Sequence, residues 1–288
     1  MGPLLLALVL FTTPFAEARA LDPVPSQRAD EAPSLLDEQD RQAYRALVED
    51  LTDAALRDLV EPALFERADQ LGLSLRHQGS FLELRPRAPA LGAVGVLLLR
   101  TGPLQAEVVL AAPHPFDDLR TGTIAWLVFE NAPVRALFVA TQSRTASDRA
   151  DPTRNPQSTL QILTEVLEER LEMPWFVQLH GFSPGTSAAS AVVSGGSSST
   201  PITILEDCAD TLSAIVGGAD VQTGRRVPQL AGLQNLQGNY LRDRAHFVHI
   251  ELGRDLREEL EANPHWCADL GESMVNMART DKQHWGLR

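Results

Sequence analysis

The 288-residue sequence predicts an α/β protein, a three-layer α/β/α sandwich built around a mixed, mostly parallel sheet. Strand-like segments alternate with amphipathic helical segments through most of the chain. Two of the predicted strands, at residues 95–99 and 106–112, are continuous apolar runs, as is typical of central strands that are covered on both faces. In sheets of this kind, ligands bind beyond the carboxyl ends of the strands.

The first 20 residues have the features of a secretory signal peptide. Residues 4–11 are a short apolar stretch, and Ala18-Arg19-Ala20 fits the small-x-small cleavage rule. We therefore expect an exported protein, periplasmic or extracellular, with a disordered apolar leader or a membrane anchor as the alternative. No later apolar run approaches the roughly 20 residues that a membrane-spanning helix needs. Residues 21–34 are rich in Pro, Ala, Asp and Glu, which predicts a flexible N-terminal tail.

Residues 35–90 are predicted to form an N-terminal extension made of helices and a hairpin. Apolar residues recur at helical spacing up to residue 59, and a second helix is expected at residues 62–72. The period then changes to strict alternation at residues 73–76 and 81–85, which predicts two half-buried strands joined by a tight turn.

Residues 91–288 are predicted to form the catalytic domain. Its strands are expected at residues 95–99, 106–112, 136–141, 175–179, 202–205 and 247–252. Its helices are expected at residues 121–131, 158–171, 209–216 and 255–262. Two polar or small-residue segments, 143–156 and 183–200, are longer than ordinary connections in a compact domain, which indicates either functional loops or disorder.

The formal net charge of −13 limits the classes of partner. A strongly acidic chain is a poor match for nucleic acids or for anionic membrane surfaces, because both repel it. The charge favours solubility and carries no information about the fold.

The two cysteines, Cys208 and Cys267, form an even pair. In an exported protein such a pair predicts a disulfide bond. Two buried free thiols are the alternative, since free cysteine behaves as a small apolar residue in protein cores. Neither cysteine has the spacing of a structural zinc site.

Three fragments place polar side chains at or near the ends of apolar strands. His114 is followed by the acidic pair Asp117 and Asp118, and His180 ends a later strand. Two histidines and one carboxylate are ligands that zinc prefers, and they leave a fourth position open for water. Glu251 lies in a third strand. The sequence therefore predicts a zinc site, and the spacing does not decide between Asp117 and Asp118.

Glu251 is flanked by apolar residues within its predicted strand. A glutamate in such a setting is unfavourable without a partner, and a general base beside a metal ion has one. Partial burial would raise its pKa toward the working range. The alternative is a surface glutamate paired with Arg254 or Arg257. His246 and His249 lie on the same strand, and we expect one of them to line the site.

The order H-x-x-[DE], strand-terminal His, and Glu in a late strand resembles the zinc carboxypeptidase-like superfamily. It is most similar to the compact bacterial branch of the N-formylglutamate amidohydrolase and poly-γ-glutamate hydrolase type, over roughly residues 105–260. This resemblance implies a phosphorylase/hydrolase-like sandwich, one Zn²⁺ ion, and hydrolysis of an amide or peptide bond near a carboxylate. It assigns the two histidines and one of the acidic pair, Asp117 or Asp118, to the metal, and Glu251 to the base that activates water.

The resemblance also implies a loop, between the two ligand motifs, that binds the substrate carboxylate. In this chain the loop offers Arg144, Arg149, Arg154 and Asn155. Substrates would be peptides or N-acyl amino acids, including cell-wall and γ-glutamyl peptides. The sequence departs from the family pattern in having Asp where Glu is commoner, and in lacking the usual Asn-Arg pair.

Two alternatives compete with the zinc hydrolase. Residues 181–185 match G-x-S-x-G, which would make Ser183 a nucleophile. In such an elbow the next residue donates its backbone N–H to the oxyanion, and here that residue is Pro184, which has none. The second alternative is a non-catalytic binding module on the same fold.

Overall fold

The computed structural model describes residues 36–87 and 95–286. The predicted signal peptide (1–20) and tail (21–34) lie outside the described residues. In the described ranges, eight α-helices cover the two faces of one mixed nine-stranded sheet, which confirms the predicted α/β sandwich. None of the described helices is both long and apolar enough to cross a membrane.

The sheet is parallel at its centre and antiparallel toward its edges. Its strands are β1 (Leu73–Gln78), β2 (Phe81–Pro86), β3 (Val96–Arg100), β4 (Val108–Ala112), β5 (Ala136–Val139), β6 (Trp175–Gly181), β7 (Ala191–Ser194), β8 (Val221–Thr223) and β9 (His246–Leu252). Their spatial order is β1-β2-β3-β5-β4-β6-β9-β7-β8. Strands β5, β4, β6 and β9 run parallel, so their carboxyl ends meet at one edge.

Helices pack on both faces of the sheet and bury two separate apolar cores. They are α1 (Glu38–Arg57), α2 (Pro62–Gln70), α3 (Thr121–Asn131), α4 (Thr159–Arg170), α5 (Ile202–Ile215), α6 (Leu236–Tyr240), α7 (Arg254–Ala262) and α8 (Pro264–Gly286). One core lies beneath α1, α2 and α4, and the other lies beneath α3, α5, α7 and α8. The central strands are therefore apolar on both faces, as the continuous runs predict.

The N-terminal extension is continuous with the sheet. The β1–β2 hairpin pairs with β3, where Leu82 lies opposite Leu99, and β3 in turn pairs with β5. Helix α1 packs on α4, and Arg45 of α1 bonds Glu165 and Glu169 of α4 at 2.8 Å each. Residues 36–87 thus extend the edge of the same sheet that forms the site.

The prediction of a strand at residues 202–205 is wrong, because these residues form the first turn of α5. Leu205, Ala209 and Leu212 recur at helical spacing and are buried against the sheet. The short apolar run before residue 206 has no periodicity of its own, so it fits either structure. Strand β7 lies inside the small-residue segment 183–200, for which the sequence predicts a functional loop or disorder.

The predicted disulfide is also wrong, because Cys208 and Cys267 are both free and buried. The thiol of Cys208, on α5, lies 3.9 Å from the sulfur of Met277, and the thiol of Cys267, on α8, donates to the carbonyl of Leu260 at 3.4 Å. Burial raises the pKa of both thiols to about 12. Both cysteines therefore serve as small core residues.

Candidate metal centre

The parallel strands bring the predicted site residues to one edge of the sheet. His180 of β6 and Glu251 of β9 are register partners, so their side chains lie on the same face. His114 and Asp118 follow β4, the other neighbour of β6. A tight turn joins them, in which the backbone N–H of Asp118 donates to the carbonyl of His114 at 2.7 Å.

His114, Asp118 and His180 form a buried cluster whose ligand atoms lie within 4.8 Å of one another and could hold a metal ion. Asp118 Oδ2 lies 3.4 Å from His114 Nδ1 and 3.5 Å from His180 Nδ1. This oxygen is buried and has no hydrogen-bond partner. Buried polar atoms in native proteins are normally satisfied, and a bound cation would satisfy this carboxylate oxygen between the two imidazoles.

The outer hydrogen bonds of the two imidazoles orient their ring nitrogens. His114 Nε2 lies 2.9 Å from Asp151 Oδ1, and His180 Nε2 lies 3.2 Å from Gln178 Oε1. Both partner oxygens are acceptors, so each Nε2 acts as a donor, and in the neutral form of each ring Nδ1 keeps a lone pair toward Asp118. Carboxylate and amide partners of this kind orient metal-binding histidines in general.

The two separations from Asp118 Oδ2 to the imidazole nitrogens are compatible with a zinc ion. Zinc–nitrogen and zinc–oxygen bonds of about 2.0–2.1 Å in tetrahedral geometry place neighbouring ligand atoms about 3.3 Å apart. The two observed separations, 3.4 Å and 3.5 Å, are close to that value. Three protein ligands also leave the fourth position that a catalytic zinc site needs.

Asp117 lies outside this cluster, which corrects its inclusion among the predicted ligands. Its carboxylate accepts one hydrogen bond from the Ser143 hydroxyl at 2.8 Å and another from the Arg144 backbone N–H at 2.9 Å. Asp117 therefore ties down the loop that follows β5. The turn after His114 brings the fourth residue, Asp118, to face the imidazoles instead of the third.

Burial and the neighbouring charges shift the pKa values of the three cluster residues. Burial alone would raise the pKa of Asp118, but its contacts with His114 and His180 hold that pKa below its usual range. Burial would lower the pKa of His114, yet Asp118 and Asp151 together raise it. For His180, burial dominates and lowers the pKa, which keeps that imidazole neutral and able to bind a metal.

Glu251 is next to the cluster and is largely buried, with 14% of its side chain exposed. Its Oε2 has no hydrogen-bond partner, and its Oε1 lies 3.8 Å from His249 Nε2. Burial raises the pKa of Glu251 to about 7, and the nearby charge of Asp118 adds to that rise. A carboxyl group with this pKa can accept and release a proton near neutral pH. The alternative pairing with Arg254 or Arg257 is not formed among the described ion pairs.

Glu251→Gln is expected to stabilise the metal-free protein at alkaline pH. The pKa of Glu251 rises from 4.5 to about 7 on folding, so wild-type stability falls as the pH rises through that window. The lost stability amounts to about 3 kcal/mol, and the glutamine variant avoids it. Thermal or urea unfolding should show the variant more stable than wild type at pH 8 and nearly equal at pH 5. Equal stability at both pH values would contradict the raised pKa.

The cluster opens into a polar cleft of about 420 Å³. Arg144 and Arg154, two of the residues predicted to bind substrate, line the cleft, and Arg144 Nη1 lies 3.4 Å from His114 Nδ1. Arg149 and Asn155 do not reach it. The Asn155 amide donates to the Arg149 carbonyl at 2.9 Å, and both residues line a separate, smaller cavity. They shape the loop, and their predicted role in substrate binding is not supported by their positions.

Sequence reasoning missed two residues of the site, Asp151 and Gln178, which orient the two histidines. Gln178 lies two positions before His180 on the same strand. Because side chains alternate across a strand, that offset places it on the site face and could have identified it. Of the two strand histidines, one of which was expected to line the site, His249 lines the cleft beside Glu251. His246, by contrast, bonds Asp281 at 3.0 Å outside the residues that line the cleft.

His249 and Glu251 also form a second group with His180, in which three ligand atoms lie within 4.8 Å of one another. The His249 ring stacks against His180 with centroids 4.4 Å apart, and its Nδ1 is buried without a partner. Burial lowers the pKa of His249 well below its ordinary value, so the ring is neutral. Ser183 is exposed on a turn and is not among the residues that line the cleft.

Comparisons with known proteins give distant structural similarity only. No protein-family model and no curated protein matches the chain. Among solved structures, a bacteriophage poly-γ-glutamate hydrolase aligns over 64% of this chain and 87% of its own, with 12% identity and a TM-score of 0.42. The gene product Atu2144 of Agrobacterium tumefaciens aligns over 58% and 88%, with 15% identity and a TM-score of 0.41. The N-acetylmuramoyl-L-alanine amidase AmiC2 of Nostoc punctiforme aligns over 63% and 99%, with 14% identity and a TM-score of 0.36. Similarities of this size do not establish a shared family or activity.

Proposed function

We propose that this protein is an exported, zinc-dependent hydrolase that cleaves an amide or peptide bond close to a carboxylate group. The observation that carries the proposal is the unpartnered Asp118 oxygen between the Nδ1 atoms of His114 and His180. Glu251, with its raised pKa, lies beside that cluster on the adjacent strand. Export rests on the sequence of residues 1–20.

His114, Asp118 and His180 would hold the zinc ion, and Asp151 and Gln178 would fix the orientation of the two rings. When bound, zinc supplies a Lewis acid that polarises a carbonyl group and makes water more acidic. The cluster is buried on the sheet side and open toward the cleft, so a substrate carbonyl reaches it from one direction.

Glu251 would move the proton of the reaction. Its carboxylate takes a proton from the attacking water and passes it to the nitrogen of the leaving amine. A pKa of about 7 suits both halves of this transfer near neutral pH. Asp118, whose pKa is held low, stays ionised throughout and cannot take this role.

Arg144 and Arg154 would bind the carboxylate of the substrate. Both line the cleft, and a guanidinium group can bond both oxygens of a carboxylate at once. The cleft volume of about 420 Å³ suits a short peptide or an N-acyl amino acid. Cell-wall peptides and γ-glutamyl peptides are members of this substrate class.

The experiment that tests the proposal is hydrolysis of N-acyl amino acids and short γ-glutamyl and cell-wall peptides by the purified full chain. We expect turnover that a chelator abolishes and added zinc restores. A matched substrate whose free carboxylate is replaced by a carboxamide should be cleaved with a much higher KM. Turnover that survives complete removal of the metal would rule out the zinc mechanism.

A further inference from the structure

A network of buried side-chain amides lies on the Nε2 side of the His180 ring. Its four members are each at most 6% exposed: Gln161, Gln178, Asn235 and Gln237. Gln178 Oε1, which faces His180 Nε2 at 3.2 Å, also accepts from the Asn235 amide at 2.7 Å. Gln178 Nε2 donates to Gln237 Oε1 at 3.2 Å, and Gln237 Nε2 donates to Gln161 Oε1 at 3.0 Å. None of these four residues has a buried side-chain atom without a partner, so the network is satisfied in one arrangement.

Backbone groups at both ends of the network fix the orientation of its amides. Asn235 Oδ1 accepts from the backbone N–H of Gly238 at 3.0 Å, and a backbone N–H can only donate. Gln237 Nε2 donates to the carbonyl of Pro152 at 3.2 Å, and a backbone carbonyl can only accept. Turning either amide over would oppose two donors or two acceptors. Gln178 must therefore present Oε1 to Asn235 and Nε2 to Gln237.

The direction of the network decides which nitrogen of a neutral His180 ring carries the proton. Gln178 Oε1 is an acceptor, so it favours a proton on Nε2. A competing acceptor lies at the other end of the ring, because Asp118 Oδ2 is 3.5 Å from Nδ1. A charged carboxylate is the stronger acceptor of the two. Without the network, it would draw the proton to Nδ1 and block the atom that faces the metal position.

The segment 235–237 also supports the second histidine of the cluster. The backbone N–H of Leu236 donates to the carbonyl of Thr153 at 2.9 Å. Thr153 in turn donates to Asp151 Oδ1 from its backbone N–H at 2.9 Å and from its hydroxyl at 2.7 Å. That same oxygen lies 2.9 Å from His114 Nε2. The outer partners of both imidazoles are therefore held by one three-residue segment.

We propose that Asn235 and Gln237 are positioning residues that act through Gln178, holding the His180 proton on Nε2 and leaving Nδ1 open to a metal ion. The proposal rests on the proposed function, since it takes His180 as a zinc ligand. It adds that the tautomer required for metal binding is already set in the metal-free protein. Neither positioning residue contacts the metal position itself.

The first test determines the tautomer of His180 in the metal-free full chain. Ring-nitrogen NMR shifts at mildly alkaline pH distinguish a proton on Nε2 from one on Nδ1, and His180→Ala identifies the signals. We expect the proton on Nε2. A proton on Nδ1 in the wild-type protein would overturn the proposal, without the need for any variant of the network.

Asn235→Asp tests whether the network sets that tautomer. The new carboxylate still accepts from Gly238 but opposes a charged oxygen to Gln178 Oε1, so the Gln178 amide should turn over and offer Nε2 to His180. We expect the proton to move to Nδ1, and zinc affinity, measured by competition with a chelator, to fall about 10–100-fold. The matched control is Asn239→Asp, the same change at an exposed position of α6, which should alter neither quantity.

Gln178→Glu separates positioning from a merely structural role. It places the same negative charge in the buried network, but its carboxylate still accepts from His180 and Asn235. The proton should therefore stay on Nε2, although both variants should lower the melting temperature. The same tautomer in Asn235→Asp and Gln178→Glu would overturn the proposal. A proton on Nε2 in a wild-type protein that binds no zinc would contradict the proposed function and leave the control of the tautomer standing.

Discussion

Glu251→Gln is expected to lower kcat/KM for amide hydrolysis by about 1,000-fold while one zinc ion per chain stays bound. General bases contribute about 10²–10⁴-fold to enzymatic rates, and glutamine has the shape of glutamate without its basicity. The three predicted ligands, His114, Asp118 and His180, are untouched by the change, so metal content should not fall. Steady-state kinetics on the best N-acyl amino acid substrate, with elemental analysis of the same sample, measures both quantities.

The matched control for this variant is Glu259→Gln, which makes the same chemical change at an exposed position on α7. It should keep wild-type kcat/KM. Unchanged turnover in Glu251→Gln would remove Glu251 from its role as the base. If the variant lost both zinc and activity, Glu251 would be a metal ligand, which would also contradict its assignment as the general base.

Asp118→Asn should weaken zinc binding on the order of 100-fold or more, whereas Asp117→Asn, one residue away, should leave it nearly unchanged. The reason is geometric. Asp118 Oδ2 lies between the two imidazoles, while the Asp117 carboxylate is occupied by hydrogen bonds from Ser143 and Arg144. Competition against a chromogenic chelator gives the zinc dissociation constant of each variant.

The Asp117 variant is also its own structural control. Asparagine keeps one acceptor oxygen, so the variant loses one of the two loop hydrogen bonds, which should reduce stability by about 1–2 kcal/mol without changing the metal affinity. If Asp117→Asn lost zinc and Asp118→Asn kept it, the turn after His114 would have to place the acidic pair the other way round.

The centre of the fold is predictable from the sequence because its strands are continuous apolar segments. The apolar runs that became β4, β6 and β9 are long enough to identify, and their alternation with helices predicts a parallel arrangement. The errors fall on short segments. The apolar residues at 202–205 have no period to separate helix from strand, and β7 is a four-residue strand inside a Gly- and Ser-rich region.

The candidate site was predictable to the level of strand ends. Residue types and strand order place His114, His180 and Glu251 together, because parallel strands share a carboxyl edge. The choice between Asp117 and Asp118 depends on a turn whose hydrogen bonds the sequence does not reveal. The contact of Asp151 with His114 could not be predicted either, because Asp151 lies in a long polar loop whose path depends on tertiary contacts.

Arg257 shows a different limit of prediction from the sequence. Its residue type and its helix were both visible in the sequence, and an ion pair with Glu251 was a reasonable expectation. The guanidinium instead lies against Gly181, and Glu251 forms no described ion pair with it. Sequence periodicity places a helical residue on a face, but it does not determine where a long side chain ends.

The central claim is that His114, Asp118 and His180 bind one zinc ion. Elemental analysis of the purified full chain, run in parallel on wild type and His180→Ala, tests it most directly. The account predicts close to one zinc per chain in wild type and almost none in the variant, because a site with two protein ligands binds zinc far more weakly. No zinc in wild type after reconstitution, or equal zinc in both proteins, would contradict it.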